Sequence, residues 1–116
     1  MPDDTAQPPL TSDARAAARV GWTTLPSRSA AEILARAAVE SGHASCAQVD
    51  GPIASFYVWK GNLQRDTEWR VTLKFPVFRA AALETWLLAN HPYETPQWIA
   101  VDAAQISPEY LRWMAS

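Results

Sequence analysis

The sequence predicts one α+β domain, in which two helices cover one face of a four-stranded sheet and a further helix follows at the C-terminus. Two patterns indicate this. Between residues 69 and 75 apolar and polar side chains alternate, which is the period of a half-buried strand. Between residues 30 and 38 apolar side chains recur at the spacing of an amphipathic helix. Segments of these two kinds then follow one another along the chain.

Composition limits the functions that need to be considered. The chain has 116 residues, and ten Lys and Arg against twelve Asp and Glu give it a formal net charge of -2. This lacks the basic excess that nucleic-acid binding demands. A single cysteine excludes an intrachain disulfide framework, and no apolar run approaches the roughly 20 residues of a membrane span. We expect no nucleic-acid partner and no membrane segment, and without a targeting signal we expect a cytoplasmic protein.

The N-terminal part divides into a tail, a strand and a helix. Residues 1–18 are rich in proline, aspartate and alanine, which predicts a flexible tail before a domain at residues 19–116. A short strand is predicted at residues 20–25, and it ends at Pro26. Gly21 weakens this prediction, because glycine is unfavourable inside a strand. Ser29 and Glu32 have the spacing of a capping box that begins a helix, and Gly42 is suited to end it.

A long hairpin is predicted next. Residues 56–60 are aromatic and branched, the alternating segment 69–75 is its second strand, and Gly61, Asn62 and Asp66 supply turn chemistry between them. Residues 76–90 form a second helix and residues 98–101 a fourth strand. Ser107 then precedes the terminal helix as its N-cap.

This order is the split βαβ arrangement of ferredoxin-like domains, with an additional C-terminal helix. Apolar side chains lie on both faces of the strands at residues 56–59 and 98–101, while the two main helices cover one face. The second apolar face must also be covered, which predicts a homo-oligomer. The alternative is that the terminal helix of the same chain covers it.

Four segments of the sequence resemble a known family. They are S-G-H-A-S-C at 41–46, S-F-Y-V-W-K-G at 55–61, H-P-Y-E-T-P at 91–96 and P-E-Y-L-R-W at 108–113. With Glu68 and Lys74 between them, they make the chain similar to the CutA divalent-cation tolerance family from about residue 20 to residue 113. The resemblance implies a homotrimer with the architecture of PII signalling proteins. It also implies an association with tolerance of copper and other divalent cations, no enzymatic activity, and no metal requirement for folding.

The resemblance implies a copper site whose ligand positions correspond to Thr23, His91 and Gln97. Threonine is a poor copper ligand and glutamine offers a neutral carbonyl, so a site of that design is weakened in this chain. His91 and Cys46 remain as candidate ligands for copper or another divalent cation. The alternatives are structural: Cys46 as a small buried hydrophobe and His91 as a cap of the second helix.

The resemblance also implies a ligand cleft at a subunit boundary, formed by Trp59, Glu68, Lys74, Tyr93 and Glu94, with Tyr57 as a neighbour. Alternation places Glu68 and Lys74 on one face of their strand. Such convergent polar and aromatic groups suit an anionic or polar small molecule. The alternatives are a ladder of cross-strand charge pairs and an enzymatic cleft that uses Glu68, Lys74 and Tyr93. No partner protein is indicated.

Overall fold

The computed structural model describes residues 16–116, so residues 1–15 of the flexible tail predicted at 1–18 lie outside the described residues. The elements are β1 (Ala18–Leu25), α1 (Arg28–Glu40), β2 (Cys46–Trp59), β3 (Asn62–Pro76), a 3₁₀ turn (Val77–Arg79), α2 (Ala80–Asn90), β4 (Ile99–Asp102) and α3 (Pro108–Ala115). The last residue assigned to the tail, Ala18, is fully buried and pairs with Pro76. Ala18 is therefore the first residue of β1.

The four strands form one sheet in the order β2-β3-β1-β4, and each neighbouring pair is antiparallel. The mixed α+β fold with a four-stranded antiparallel sheet and three helices is as the sequence predicted. Its core lies between the sheet and the layer formed by α1 and α2. Every second side chain of β3 points towards these helices, and both helices pack aliphatic side chains against that sheet face. The largest fully buried aliphatic and aromatic side chains are Phe75, Leu25, Leu73, Leu83, Leu87 and Val71. Each stabilises the fold by about 1.5–3 kcal/mol through removal from water.

The ends of α1 show one wrong prediction and one confirmed prediction. The N-cap is Ser27, whose side chain accepts a hydrogen bond from the Ala30 N–H at 3.1 Å. Ser29 is therefore inside the helix, and Glu32 pairs with Arg28 one turn earlier instead of closing a capping box. Pro26 precedes the cap and ends β1 before it. Gly42 follows the helix with a φ of 79°, the left-handed conformation expected at this position.

The hairpin is longer than predicted. Its turn is Lys60-Gly61, both with positive φ, so Trp59 pairs with Asn62 directly across the loop. Asp66 was predicted to belong to the turn but lies within β3, opposite Ser55. β2 begins ten residues before the predicted strand, and a bulge between Asp50 and Ile53 accommodates the Gly51-Pro52 pair within it.

Trp98 explains why β1 contains a glycine. The indole of Trp98 lies directly over Gly21 and stacks on the Phe75 ring at 6.0 Å between centroids. A Cβ atom at position 21 would collide with that indole. Gly21 therefore supplies the space for a large aromatic side chain rather than marking a weak strand. Trp98 itself precedes β4, which begins one residue later than predicted.

The sheet face opposite α1 and α2 is only partly covered by α3. Met114 is buried at one end of this face, and the Ser45 hydroxyl donates to the Met114 carbonyl at 2.6 Å. At the β4 edge, Ile99 and Val101 remain 57% and 45% exposed. Trp22 lies on the same sheet face, because it pairs with Ile99 of β4 and with Thr72 of β3. We call the surface formed by Trp22, Ile99 and Val101 the open face. Within residues 16–116 no helix is both long and apolar enough to cross a membrane.

Candidate functional site

A cleft of about 700 Å³ opens where the β2-β3 hairpin meets the segment between α2 and β4. Four of the five predicted cleft residues line it: Trp59, Glu68, Tyr93 and Glu94. The remaining lining residues are Thr24, Ser55, Phe56, Tyr57, Asp66, Pro92, Thr95 and Gln97. The single chain thus brings together the aromatic and acidic groups that the sequence placed on three separate segments.

Two tyrosine–carboxylate pairs organise the cleft. The Tyr93 hydroxyl donates to Glu68 Oε2 at 2.8 Å, and the Tyr57 hydroxyl donates to the Asp66 carboxylate. The register places Tyr57 and Asp66 on the same sheet face as Glu68, because Ser55 pairs with Asp66 and Ile53 with Glu68. The sequence analysis missed Asp66 because it was assigned to a turn. The signal that could have found it is its even spacing with Glu68 along one strand.

His91 positions the segment that carries Tyr93. Its Nε2 lies 3.0 Å from both the Thr24 carbonyl oxygen and the Thr23 hydroxyl. Its Nδ1 accepts the Tyr93 N–H at 3.1 Å. Because Nδ1 accepts, Nε2 carries the ring hydrogen and donates it to the Thr24 carbonyl. His91 is only 9% exposed, so it is a buried link between the end of β1 and the cleft.

The pKa shifts of His91, Tyr57 and Tyr93 agree with this arrangement. Burial lowers the pKa of His91, although its bond to the Thr24 carbonyl opposes the shift. Burial raises the pKa of Tyr93 well above its ordinary value, and the bond to Glu68 adds to the rise. The pKa of Tyr57 is raised by its bond to Asp66. The tyrosines are therefore neutral hydrogen-bond donors at physiological pH, and His91 is a neutral imidazole.

Within the single chain, Lys74 does not line this cleft. It follows Glu68 by six residues on β3, which separates the two by about 20 Å along the strand. Its neighbours belong to β1 and α3 and include Val20, Tyr110 and Met114. Of the described residues that line the cleft, three are carboxylates and none is Lys, Arg or His. The cleft of a single chain is therefore acidic and does not suit the anionic ligand considered from the sequence.

The two candidate metal ligands are not brought together. His91 contacts Thr23 and Thr24, whereas Cys46 pairs with Lys74, four residues further along β3 than the partner of Thr24. This offset is about 13 Å along the strand. Within residues 16–116, no group of three or more His, Cys, Asp or Glu side chains could hold a metal ion. Both ring nitrogens of His91 are occupied by hydrogen bonds, and Gln97 lines the cleft.

Comparison with known proteins places this geometry in a family. The family model described as "CutA1 divalent ion tolerance protein" matches residues 19–116. Protein CutA homolog from Xenopus laevis is 36% identical over 93 residues, which are 80% of this chain and 62% of that protein. The divalent-cation tolerance protein CutA from Thermus thermophilus is 32% identical over 91 residues, 78% of this chain and 88% of that protein. The chain thus spans about three fifths of the Xenopus relative's length.

The fold gives the same result. The structure of CutA from Synechococcus elongatus superposes with a TM-score of 0.82 at 36% identity, covering 86% of this chain and 88% of that one. Sequence and fold agree over the same region, from the start of β1 to α3. The chain therefore belongs to the CutA1 divalent ion tolerance family.

Proposed function

We propose that the chain is the subunit of a PII-like homotrimer that binds a small ligand without catalysing a reaction. The observation that carries the assembly is the open face, where the side chains of Ile99 and Val101 remain exposed. Exposed apolar side chains that are grouped on one sheet face are normally covered by another chain. The strand order β2-β3-β1-β4 supports a ferredoxin-like subunit, and three copies would bury the open face.

The absence of catalysis is part of the proposal and is supported by the chemistry of the cleft. A nucleophile or a general base needs a lowered pKa or an adjacent base. The pKa values of Tyr57 and Tyr93 are raised instead, by the hydrogen bond to Asp66 in Tyr57 and by burial, with the bond to Glu68, in Tyr93. The enzymatic alternative also needed Lys74 beside Glu68, and the chain places these residues apart. Binding is the simpler use of these groups.

The name of the family supports a role in divalent-cation tolerance, which we include in the proposal. Copper is the specific cation that the sequence resemblance implied. The residues at the proposed copper positions do not fit that ion, because Thr23 bonds to His91 and neither ring nitrogen of His91 has a free lone pair. We therefore propose that folding needs no metal and that a cation response does not run through His91. A cytoplasmic location is part of the same proposal, although relatives include proteins named chloroplastic and periplasmic.

Light scattering coupled to size-exclusion chromatography tests the assembly. We expect the protein to elute with the mass of three chains, and Ile99→Lys to lower that mass because a charge is placed in the covered face. Ile33→Lys is the matched control, since Ile33 is exposed on α1, away from the open face. A wild-type monomer, or an Ile33→Lys variant that dissociates while Ile99→Lys does not, would contradict the proposed interface.

A further inference from the structure

The cleft contains a buried carboxylate without an ion-pair partner. Glu68 is 8% exposed and accepts one hydrogen bond, from Tyr93 to Oε2. Within residues 16–116, its Oε1 accepts no hydrogen bond and Glu68 forms no ion pair. A buried carboxylate left in this state is costly unless a positive group approaches it. The free oxygen therefore marks the place in the cleft where a cation would be stabilised.

The protein does not supply that cation from the same face. The next residue of β3 on this side is Arg70, whose Nε and Nη2 donate to the two carboxylate oxygens of Asp50 at 3.2 and 2.9 Å. Lys74 lies beneath α3. Asp66 and Glu94 add two more carboxylates to the cleft wall. Within one chain, no basic side chain of the cleft lining balances these three carboxylates.

Aromatic side chains form another part of the wall. Tyr57 and Trp59 project from β2, Tyr93 from the segment after α2, and all three line the cleft with Glu68. Aromatic faces attract cations, and Trp and Tyr do so more strongly than Phe. Because both tyrosine hydroxyls donate to carboxylates, their rings are more electron-rich than those of free tyrosine. Carboxylates beside such rings recognise the charge and the apolar surface of an organic cation together.

We propose that this cleft binds a small organic cation, an alkylammonium or quaternary ammonium compound, with Glu68 opposite the charge and the rings of Tyr57, Trp59 and Tyr93 around its alkyl groups. This inference rests on the proposed function, because it names the ligand class of the same binding cleft. A bare divalent metal is not favoured, because no metal-binding group of three ligands exists among the described residues. An anion is disfavoured by the three carboxylates that line the cleft of one chain.

Calorimetric titration with choline and with its uncharged isostere 3,3-dimethyl-1-butanol tests the charge requirement. The two probes have nearly the same shape, so we expect choline to bind about tenfold or more tightly, the size of one desolvated cation–π contact together with the carboxylate. Putrescine tests the primary ammonium form of the same class. Equal binding of choline and the alcohol, or binding of none of the cations, would overturn the inference.

Two variants locate the site, each with a control that does not line the cleft. Glu68→Gln keeps the acceptor for Tyr93 but removes the charge, and we expect it to weaken choline binding at least tenfold; Glu109→Gln on α3 is its control. Trp59→Leu removes one ring, and Trp113→Leu is its control, since Trp59 is 47% and Trp113 52% exposed. If the control variants weaken binding as much as the cleft variants, the assigned site is wrong.

The oligomeric state is recorded on the same samples, so that the two proposals fail separately. A trimer that does not discriminate choline from the alcohol overturns the ligand class and leaves the assembly standing. A monomer that binds choline through Glu68 supports the ligand class and overturns the assembly.

Discussion

His91 shows how a single residue changes role between sequence and structure. Its position before Pro92 made it a candidate ligand or helix cap, but its ring donates to the Thr24 carbonyl and accepts from the Tyr93 N–H. These bonds tie β1 to the segment that supplies Tyr93 to the cleft. No property of the sequence around His91 shows this, because Thr23 and Thr24 are more than sixty residues away along the chain.

We predict that His91→Ala lowers the free energy of unfolding by about 2–4 kcal/mol, because it leaves the buried Thr24 carbonyl without a donor and removes a packed ring. Urea denaturation followed by tryptophan fluorescence measures this. His43→Ala is the control, since His43 is half-exposed and stacks on Trp86 at 5.2 Å, and we expect it to cost less than half as much. Equal losses in the two variants would contradict the structural role of His91.

The lowered pKa of His91 predicts a pH dependence of stability. Because the unfolded chain holds a histidine proton more tightly than the folded chain, the unfolded state binds more protons below the ordinary pKa of about 6.5. Stability from this group is complete above that pH and declines as the pH falls from 6.5 towards the folded-state pKa. We expect the decline between pH 7 and pH 5 to be shallower in His91→Gln, measured by urea denaturation at each pH. An unchanged slope would contradict the assignment.

At the scale of elements, the contact between Gly21 and the Trp98 indole couples β1 to the segment before β4. Gly21→Ala should cost about 1–3 kcal/mol of stability, because the new methyl group would collide with the Trp98 indole. We predict that the cost falls in a Trp98→Leu background, which makes room for the methyl group. A double-mutant cycle by chemical denaturation measures this coupling. Additive losses would show that position 21 requires glycine for a reason other than Trp98.

How well each element could be predicted depended on how local its signal was. The β3 alternation and the α1 periodicity are local and were predicted correctly, as was the left-handed Gly42. β2 was predicted too short, because a Gly-Pro pair that usually breaks a strand is absorbed by a bulge against β3. The N-cap of α1 was displaced by two residues, because Ser27 and Ser29 both satisfy local capping rules.

Only some of the residues that line the cleft could be predicted from the sequence. Trp59, Glu68, Tyr93 and Glu94 were identified through the family resemblance and lie in one cleft. Lys74 was grouped with them because alternation fixes the face of a side chain but not its distance along the strand. Asp66 was missed for lack of a strand assignment. The acidic character of the cleft follows from these two corrections and could not be read from residue types alone.

At the scale of the whole molecule, the unequal covering of the two sheet faces is the feature that needs explanation. One face carries α1 and α2, while α3 covers only one end of the other. The radius of gyration is 16.7 Å, whereas a compact chain of about 100 residues has roughly 13 Å. The 14- and 15-residue strands of the β2-β3 hairpin are the longest elements, and in the proposed homotrimer we expect this hairpin to contact neighbouring subunits.

Native mass spectrometry of the metal-stripped protein, before and after addition of copper, tests the central claim most directly. The account predicts the mass of three chains in both spectra, with no copper retained, because folding and assembly need no metal and His91 has no free lone pair. A monomer in the metal-free sample would contradict the proposed assembly. A trimer that retains three copper ions and loses them in His91→Gln would contradict the assignment of His91 as a structural residue.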